Sequence, residues 1–582
     1  MKLNERQFSG FELKRRWFSA FIGILVLGSG IFQASSGRTE TAGMISATIR
    51  SMLESDLSLS GSLRPESVKI LNRYYESRSW APYWVDKNGP SSLGDDWIRT
   101  IRTSWLHGLR PQDYHLELLK QHGDQIQEML VRTGNADQLI GIMDVLLTDA
   151  FFRFSTHLLE GKVSPQRFDP HWISPSHKFD IMEMLNKLSV RRNIQETIHE
   201  LAPPHEEYWN LAQASVQLKS VVDAGGWPMV ESGGTIRLGD RGHRVDQLRT
   251  RLKFSLDLGA STGDDALFDP VLEKAVRRFQ SRHGLKADGA VGKETLAALN
   301  VTAAQRWRQL MLNMERWRWL PRQWQDCRII VNIAAFMLQG YRGDRKQIEM
   351  PVIVGKSYQK TPVFSGKMGY MVINPYWNVP GSIVVKELLP ILRKDPGYLA
   401  RNHYEVVAGG ESSARVINPA RIDWKTVHAG NLPGRIRQLP GPWNALGRIK
   451  FIFPNQFHVY LHDTPTRRLF SNPRRALSHG CIRVGSPLDF AVFLLQDDPS
   501  WTLERLEQLI ATGQRRTVRI SQPCAVHLLY WTAWIGENGE LNFRDDIYER
   551  DKPLWDALNQ DSGRYLQDRP FTKSLTVRHP DE

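Results

Sequence analysis

"FHVYLHDTPTRRLFSNPRRALSHGCIRV", residues 457–484, sets histidine, tyrosine and histidine at alternate positions. After a basic loop it sets a cysteine between glycine and isoleucine. In a strand, alternate side chains share a face. Phe457, Val459 and Leu461 then form an apolar face, and His458, Tyr460 and His462 the opposite one. Two imidazoles and a phenol on one face, where a strand runs into a loop, is not a packing pattern. The chain returns through His479-Gly480-Cys481. Beyond it, Ser486-Pro487-Leu488-Asp489 reads as a helix start, with serine as N-cap, proline as first helical residue and aspartate as capping-box partner. Cys481 is thereby placed in a tight glycine turn ahead of a helix, where backbone N–H groups can converge on one point. Such a turn offers what a thioester-forming nucleophile needs: an imidazole to take the S–H proton and N–H donors for the oxyanion. On the residues alone three other readings stay open. Cys481, His479, His462 and His458 could coordinate zinc, although no C-x-x-C, H-E-x-x-H or carboxylate partner accompanies them. The cysteine could be a buried inert thiol, or half of a disulfide with Cys327 or Cys524.

Length and charge narrow the setting. At 582 residues the chain exceeds one core, and roughly 150 residues per domain predicts about three or four units. Apolar residues make up 41% and charged ones 24%, a globular rather than a disordered balance. The net charge of +14 favours an anionic partner: nucleic acid, anionic lipid or an acidic wall polymer. Nucleic acid is set aside, because no helix-turn-helix spacing, RNP motif or paired-Cys zinc pattern is present. Lys14-Arg15-Arg16 precedes "WFSAFIGILVLGSGIF", 16 uncharged residues from Trp17 to Phe32. That is short of the ~20 residues of a spanning helix and longer than a signal h-region of about 7–15. Whether it is an anchor or a signal peptide cleaved near Ala34-Ser35-Ser36, everything after Phe32 is exported, because the basic cluster stays inside. The expected location is the periplasm, with the N-terminal segment held in the inner membrane. Three cysteines leave at least one unpaired, and a free thiol kept in an oxidising compartment points to a use for it.

The pattern along the chain predicts a multidomain α+β protein. Residues 1–38 are the signal or anchor. Residues 39–235 are a mostly helical scaffold that opens on a polar, Ser-rich spacer to about 60. Within it, "DQLIGIMDVLLTDAFFRFSTHLL" places Leu139, Ile140, Met143, Leu146, Leu147 and Phe151 at helical steps. Trp80, Trp84, Trp97 and Trp105 read as core packing rather than a sugar platform. Glycine-rich "DAGGWP" and "ESGGT" mark a boundary. Residues 236–302 read as a small three-helix bundle built on Val245, Leu248 and Leu252, then Val271, Leu272, Ala275, Val276 and Phe279, then Leu296 and Leu299. A basic, Trp-rich helical connector at 303–325 follows. From 326 to 536 the rhythm turns to β-branched runs, a mainly β domain with a mixed or antiparallel sheet. Its Gly, Asn and Pro-rich stretch at about 395–450 reads as a long loop insertion, a lid. The extension at 537–582 is charged and reads as peripheral.

Two resemblances then attach to particular residues. Gly242, Val245, Leu248, Ala275, Val276, Phe279, Gln280, Asp288, Gly289, Gly292, Thr295 and Leu299 follow the pattern of the type 1 peptidoglycan-binding domain. His462, the fifteen residues after it and Ser478-His479-Gly480-Cys481, with Ile482-Arg483-Val484 behind, resemble the YkuD-type catalytic domain of L,D-transpeptidases. "NPYWNVPGSI" (374–383), "YLHDTP" (460–465) and "YWTAWI" (530–535) fit the large YcbB-like members. Smaller members often carry asparagine where this chain has Arg483. The resemblance implies a peptidoglycan L,D-transpeptidase, a cysteine acyltransferase that needs no cofactor and no metal. Cys481 would be the nucleophile and His462 its base, oriented by the backbone carbonyl of Asp463 or a neighbour. The N–H groups of Gly480 and Cys481 would hold the oxyanion with Tyr460 as an extra donor, while His479 shapes the turn or lines the acceptor side. Trp377, Arg483, Ser478 and Asn374 are the expected substrate-binding residues, Trp377 as a wall of the donor pocket and Arg483 on a substrate carboxylate. The donor implied is a tetrapeptide stem that loses its terminal D-alanine, and the acceptor a diamino-acid side-chain amine, giving a 3→3 cross-link. Cell-wall synthases are the partners such an enzyme would have. Water in place of the amine would make the same site a carboxypeptidase or a cross-link-cleaving peptidase. A degenerate catalytic domain would leave a wall-binding protein.

Overall fold

A computed structural model describes residues 36–54, 63, 65–168, 181–259, 265–409 and 415–560. The apolar segment at 17–32 lies outside them, and no described helix is long and apolar enough to cross a membrane. The helical N-terminal region is organised on one helix, α2 (Asp137–Glu160), which is apolar on nearly every side and buried along most of its length. Its Asp144 accepts hydrogen bonds from the Trp84 and Tyr83 N–H groups (2.7 and 2.8 Å) and from the Tyr75 hydroxyl (2.6 Å), which ties the tryptophan-rich loop to the core. Trp84 and Trp97 are fully buried beside it, whereas Trp80 and Trp105 sit half-buried at the edge. The expected Ser-rich spacer is instead part of a helix, α1 (Ser36–Glu54). Ile45, Ile49 and Leu53, one turn apart, form a buried stripe inside a sequence whose Ser and Thr content reads as linker. Gly141 of α2 lets the two helices touch: a Cβ there would lie 3.0 Å from the Thr48 side chain. The region closes with α3 (Glu206–Asp223).

A separate core then gathers Val245, Leu248, Leu252, Leu272, Ala275, Val276, Phe279 and Leu299 from α4 (His243–Phe254), α5 (Pro270–Arg282) and α6 (Lys293–Leu299). Val271, expected inside, is exposed, because the Asp269 cap and Pro270 start the helix with that position outward. Gln280 is the hub of this unit. Its Nε2 donates to Asp288 Oδ1 (3.0 Å), the Ala290 carbonyl (2.9 Å) and Thr295 Oγ1 (3.1 Å), and its Oε1 accepts from the Gly289 N–H (2.8 Å).

The connector helix α7 (Ala303–Arg318), capped by Thr302 and Gln305, is buried along most of its length and packs on α3. Its Glu315 and Arg318 form a fully buried pair (2.5 Å), and Glu315 also accepts from the Val163 N–H (2.7 Å).

The β domain holds one nine-stranded mixed sheet. Its strands are β1 (Cys327–Asn332), β2 (Met337–Arg342), β3 (Arg345–Gly355), β4 (Phe364–Ile373), and, after an insertion, β9 (Ile449–Ile452), β10 (Leu461–His462), β11 (Ala476–Ser478), β12 (Ile482–Val484) and β13 (Arg516–Leu529). The spatial order is β11-β3-β12-β10-β9-β4-β13-β1-β2, and β2 pairs back onto β3, so the sheet closes on itself. Helix α8 (Pro487–Leu495) packs on β3 and β13, and α9 (Leu503–Ala511) on α8. Cys327 and Cys524 are joined by a disulfide across the parallel β1–β13 pair, Cα atoms 4.8 Å apart, which leaves Cys481 as the free thiol.

Three expectations for this domain are corrected. The insertion is not a loop: it carries a second sheet of β5 (Trp377–Asn378), β8 (Arg435–Gln438), β6 (Tyr404–Ala408) and β7 (Arg415–Ile417), in that order. Val384, Leu388, Leu392, Leu399, Val406, Trp424 and Ile436 form its own core. Strands of two to five residues are too short for alternation to show in a Gly- and Pro-rich sequence. Ser486 makes no side-chain cap on α8; the backbone alone starts that helix at Pro487. Finally, the C-terminal extension is not peripheral. Ile547, Tyr548, Leu554, Ala557 and Leu558 are buried, the last three on one face of α10 (Asp551–Asn559), which packs on α7. The charged residues between them hide that face from a composition argument.

Candidate active site

The site is made by a parallel pairing. Leu461 faces Ile482 and His462 faces Arg483, and the Ile482 N–H donates to the Tyr460 carbonyl (3.1 Å), so Cys481 enters the turn beside Tyr460. Leu461 and Ile482 are completely buried on the core side. Successive side chains alternate, so Tyr460, His462, Cys481 and Arg483 fall together on the other face. Lys450 of β9, paired with His462, joins them between the buried Ile449 and Phe451. The strand expected over 457–462 is only its last two residues: His458 has φ +54°, and Asn455 Oδ1 accepts from the Phe457 and Val459 N–H groups (both 3.1 Å) to form a turn. His458 is exposed and contributes its carbonyl, 3.8 Å from Cys481 Sγ.

His462 is buried, and its Nδ1 donates to the Asp463 carbonyl (2.5 Å). A carbonyl only accepts, so the proton sits on Nδ1 and the lone pair on Nε2. Burial first, and the Arg483 charge second, hold this imidazole down to about 3. It is neutral at any working pH. Asp463 is itself immobilised. Its carboxylate accepts from the Arg448 N–H (2.9 Å) and from Arg467 Nη1 (3.0 Å), and Arg467 also reaches the Gly485 carbonyl. Gly447, at φ +62°, passes so close that a Cβ would come within 2.5 Å of that carboxylate.

The Cys481 thiol is pushed up by burial, against the Tyr460 N–H, the Lys450 charge, the Tyr460 hydroxyl and the Arg483 charge. The Tyr460 hydroxyl is also raised, by burial and by its closeness to the cysteine. The Lys450 ammonium lies 3.8 Å from the centre of the Tyr460 ring. A neutral thiol, a neutral base and two cations together form a face that is electropositive and poised, with no net ion pair at rest.

Several expected roles are not carried by the geometry. The Gly480 N–H donates to Ser478 Oγ (3.1 Å), so it is committed inside the turn rather than offered to an oxyanion. The Cys481 N–H has no acceptor among the described residues. Ser478 is buried and its hydroxyl donates to the Cys481 carbonyl (2.5 Å); it staples the turn and does not face a ligand. Asn374 is buried too. Its Nδ2 donates to the carbonyls of Leu509, Ile510 and Gln514 (3.2, 3.1 and 3.1 Å), closing the C-terminus of α9. His479 is exposed at the motif and its Nε2 meets Glu387 Oε1 of the insertion at 2.6 Å. Trp377 lies at the start of β5 with its ring 6.2 Å from Tyr404. Among the described residues no three His, Cys, Asp or Glu side chains converge as metal ligands. Lys450, Arg448 and Glu387 are additions from outside the motif region, and Arg467, though inside it, carries no pattern that marks it as the partner of Asp463.

Residues 326–507 match the L,D-transpeptidase catalytic domain, YkuD. The chain carries a YkuD-type L,D-transpeptidase domain. Ahead of it, residues 69–214 match the family described as "Scaffold domain" and residues 241–299 the "Putative peptidoglycan binding domain". A protein of Haemophilus influenzae named "Putative L,D-transpeptidase" is 36% identical over 265 residues, 44% of this chain and 52% of that protein. The "Zinc D-Ala-D-Ala carboxypeptidase" of Streptomyces albus G is 42% identical over 62 residues, 11% of this chain and 24% of its own length. The chain thus spans about half the length of the first relative and a quarter of the second. The solved L,D-transpeptidase (Yku) of Stackebrandtia nassauensis aligns over 52% of this chain and 96% of its own, with 13% identity and a TM-score of 0.20, too low to carry an argument. Tyr548 and α10 lie beyond the residues matched to the transpeptidase domain.

Proposed function

We propose that the chain is a cysteine-dependent peptidoglycan L,D-transpeptidase of the cell envelope that forms 3→3 cross-links through a thioester on Cys481. The observation that carries this reading is the β10–β12 pairing, which sets a free thiol, a tautomer-fixed neutral imidazole, a phenol and Arg483 on one face. His462 Nε2 takes the Sγ proton as sulfur attacks the carbonyl of the third stem residue. The Cys481 N–H and the Tyr460 hydroxyl stabilise the oxyanion. The terminal D-alanine leaves as its amine, with the proton returned by His462, and the thioester passes to the side-chain amine of a second stem. Arg483 supports a further step. Its Nε is buried without a hydrogen-bond partner, and its charge is what depresses His462 after burial. A stem carboxylate bound there would cancel that charge and raise the imidazole's basicity when substrate arrives. The insertion, held to the motif by Glu387 and His479, would act as a lid that keeps out water, the competitor of the acceptor amine. The segment at 17–32 would keep the enzyme at the inner membrane.

The test is mass spectrometry of the protein from residue 36 onward, mixed with disaccharide-tetrapeptide. A thioester on Cys481 together with tetrapeptide–tripeptide dimers is the expected result. Tripeptide without dimers would make the chain a hydrolase. Product from the Cys481→Ala protein would remove the nucleophile assignment altogether.

A further inference from the structure

The peptide between Gly480 and Cys481 has two polar ends, and only one of them is committed. The Gly480 carbonyl accepts from Thr361 Oγ1 (2.8 Å), whereas the Cys481 N–H has no acceptor among the described residues. The two ends lie in one plane and point in opposite directions. Fixing the carbonyl therefore aims the N–H. This matters at Gly480, whose φ of +116° is open to a residue without a Cβ and whose peptide would otherwise be free to rotate.

Thr361 is completely buried, and its own geometry is settled by a second tier. The Gly355 N–H donates to Thr361 Oγ1 (2.9 Å), which leaves the threonine's one hydroxyl proton for the Gly480 carbonyl. The Tyr548 hydroxyl donates to the Gly355 carbonyl (2.6 Å) and accepts from the Thr361 N–H (3.2 Å). Tyr548 is buried on Tyr530, whose hydroxyl accepts from the Tyr548 N–H (2.9 Å). Residues from three separate stretches thus end on one carbonyl, and the last of them lies in the C-terminal segment beyond the matched catalytic domain.

We propose that Thr361 and Tyr548 are positioning residues: they lock the Gly480–Cys481 peptide so that the Cys481 N–H faces the oxyanion, without touching substrate. The proposal rests on Cys481 being the nucleophile. Losing an oxyanion donor costs about 10²–10³ in rate, which bounds the effect from above. In the full chain, Thr361→Val should slow acylation by disaccharide-tetrapeptide about 10- to 100-fold, and Tyr548→Phe about 3- to 10-fold, with the donor KM unchanged. Thr361→Ser, which keeps the hydroxyl, should stay within about threefold of the parent. Alkylation of Cys481 by iodoacetamide uses the thiolate but no oxyanion donor, so its rate and pH profile should be unchanged in all three. Parent-like acylation in both Thr361→Val and Tyr548→Phe overturns the proposal. So does faster alkylation alongside slower acylation, which means a loosened turn, or a Thr361→Ser protein as slow as Thr361→Val. If Thr361→Val fails to fold, Tyr548→Phe and Thr361→Ser decide. Product from Cys481→Ala, measured in parallel, would instead defeat the nucleophile assignment on which all of this rests.

Discussion

Lowering the pH from 7 to 5 should destabilise this protein steeply, through histidines rather than carboxylates. His107, His205, His462 and His527 are buried, and burial holds them down to about 3, 4, 3 and 4 from an ordinary 6.5. Above pH 6.5 the imidazoles are neutral in both folded and unfolded chains, and pH has no leverage. Below 6.5 the unfolded chain takes up protons that the folded one refuses. The stability present above 6.5 is therefore lost progressively as pH falls toward 3–4, where the folded groups finally titrate. Each group contributes about 1.4 kcal/mol per pH unit within that window; with His157 and His283, which burial also holds well below the usual value, the six together give about 8 kcal/mol per unit below pH 6, spread over the helical region, the small bundle and the β domain. Against a total of about 5–15 kcal/mol for a domain, the three histidines of the helical region, at about 4 kcal/mol per unit, remove a large part of its stability within one to two units. Asp144 and Asp551, whose carboxyls burial raises, act in the opposite sense and add stability as pH falls, so the slope read is a net one. The assay is guanidinium unfolding followed by tryptophan fluorescence at fixed ionic strength, in half-unit steps from pH 7.5 to 5. His205→Gln supplies an internal control, because an amide N–H can keep the bond that His205 Nε2 makes to the Pro321 carbonyl (2.8 Å). That variant should lose about a sixth of the slope, roughly 1.4 kcal/mol per unit. A stability flat between pH 7 and 5 would refute the reasoning, since it requires the imidazoles to be hydrated or paired in the fold.

Two further outcomes follow from the catalytic domain. Replacing Cys327 and Cys524 together by alanine opens a closure of 197 residues and should cost about 3–5 kcal/mol, read as a lower unfolding midpoint, while acylation at Cys481 persists at 25 °C. An unchanged midpoint would mean that the strand ladder β1–β13 needs no cross-link. Arg483→Gln removes a charge that favours the thiolate and disfavours protonated His462, so the iodoacetamide profile of Cys481 should move to higher pH and the His462 resonance should titrate at higher pH. Movement of either in the opposite direction would show that Arg483 does not face the pair.

What the sequence revealed and what it concealed divide by the distance over which the relevant contacts act. The face carrying Tyr460 and His462 was legible because pleating is a local rule, and two more residues, Cys481 and Arg483, were added by a motif of contiguous chain. The α5 positions Ala275, Val276 and Phe279 were legible for the same reason at a different period. The Asp463 carbonyl could be placed on His462 because it is the next residue. By contrast, the motif suggests outward roles for Gly480 and Ser478, whereas the Gly480 N–H is spent on Ser478 Oγ and the Ser478 hydroxyl on the Cys481 carbonyl, and nothing in a heptapeptide says which N–H a nearby hydroxyl will claim. Asn374 sits in a motif, yet what fixes its role is the end of a helix about 135 residues later. The insertion's core and the buried face of α10 were hidden differently: short strands and interleaved charges dilute periodicity until only tertiary contact defines the element. Tyr548 shows the limit most clearly. It lies 187 residues from Thr361, in a stretch whose composition reads as a tail, and its hydroxyl matters only because two backbone groups converge there. The residues proposed to perform chemistry are thus readable from local pattern. Those that hold the chemistry still require the fold, since a hydrogen-bond chain ending on one carbonyl leaves no periodicity behind.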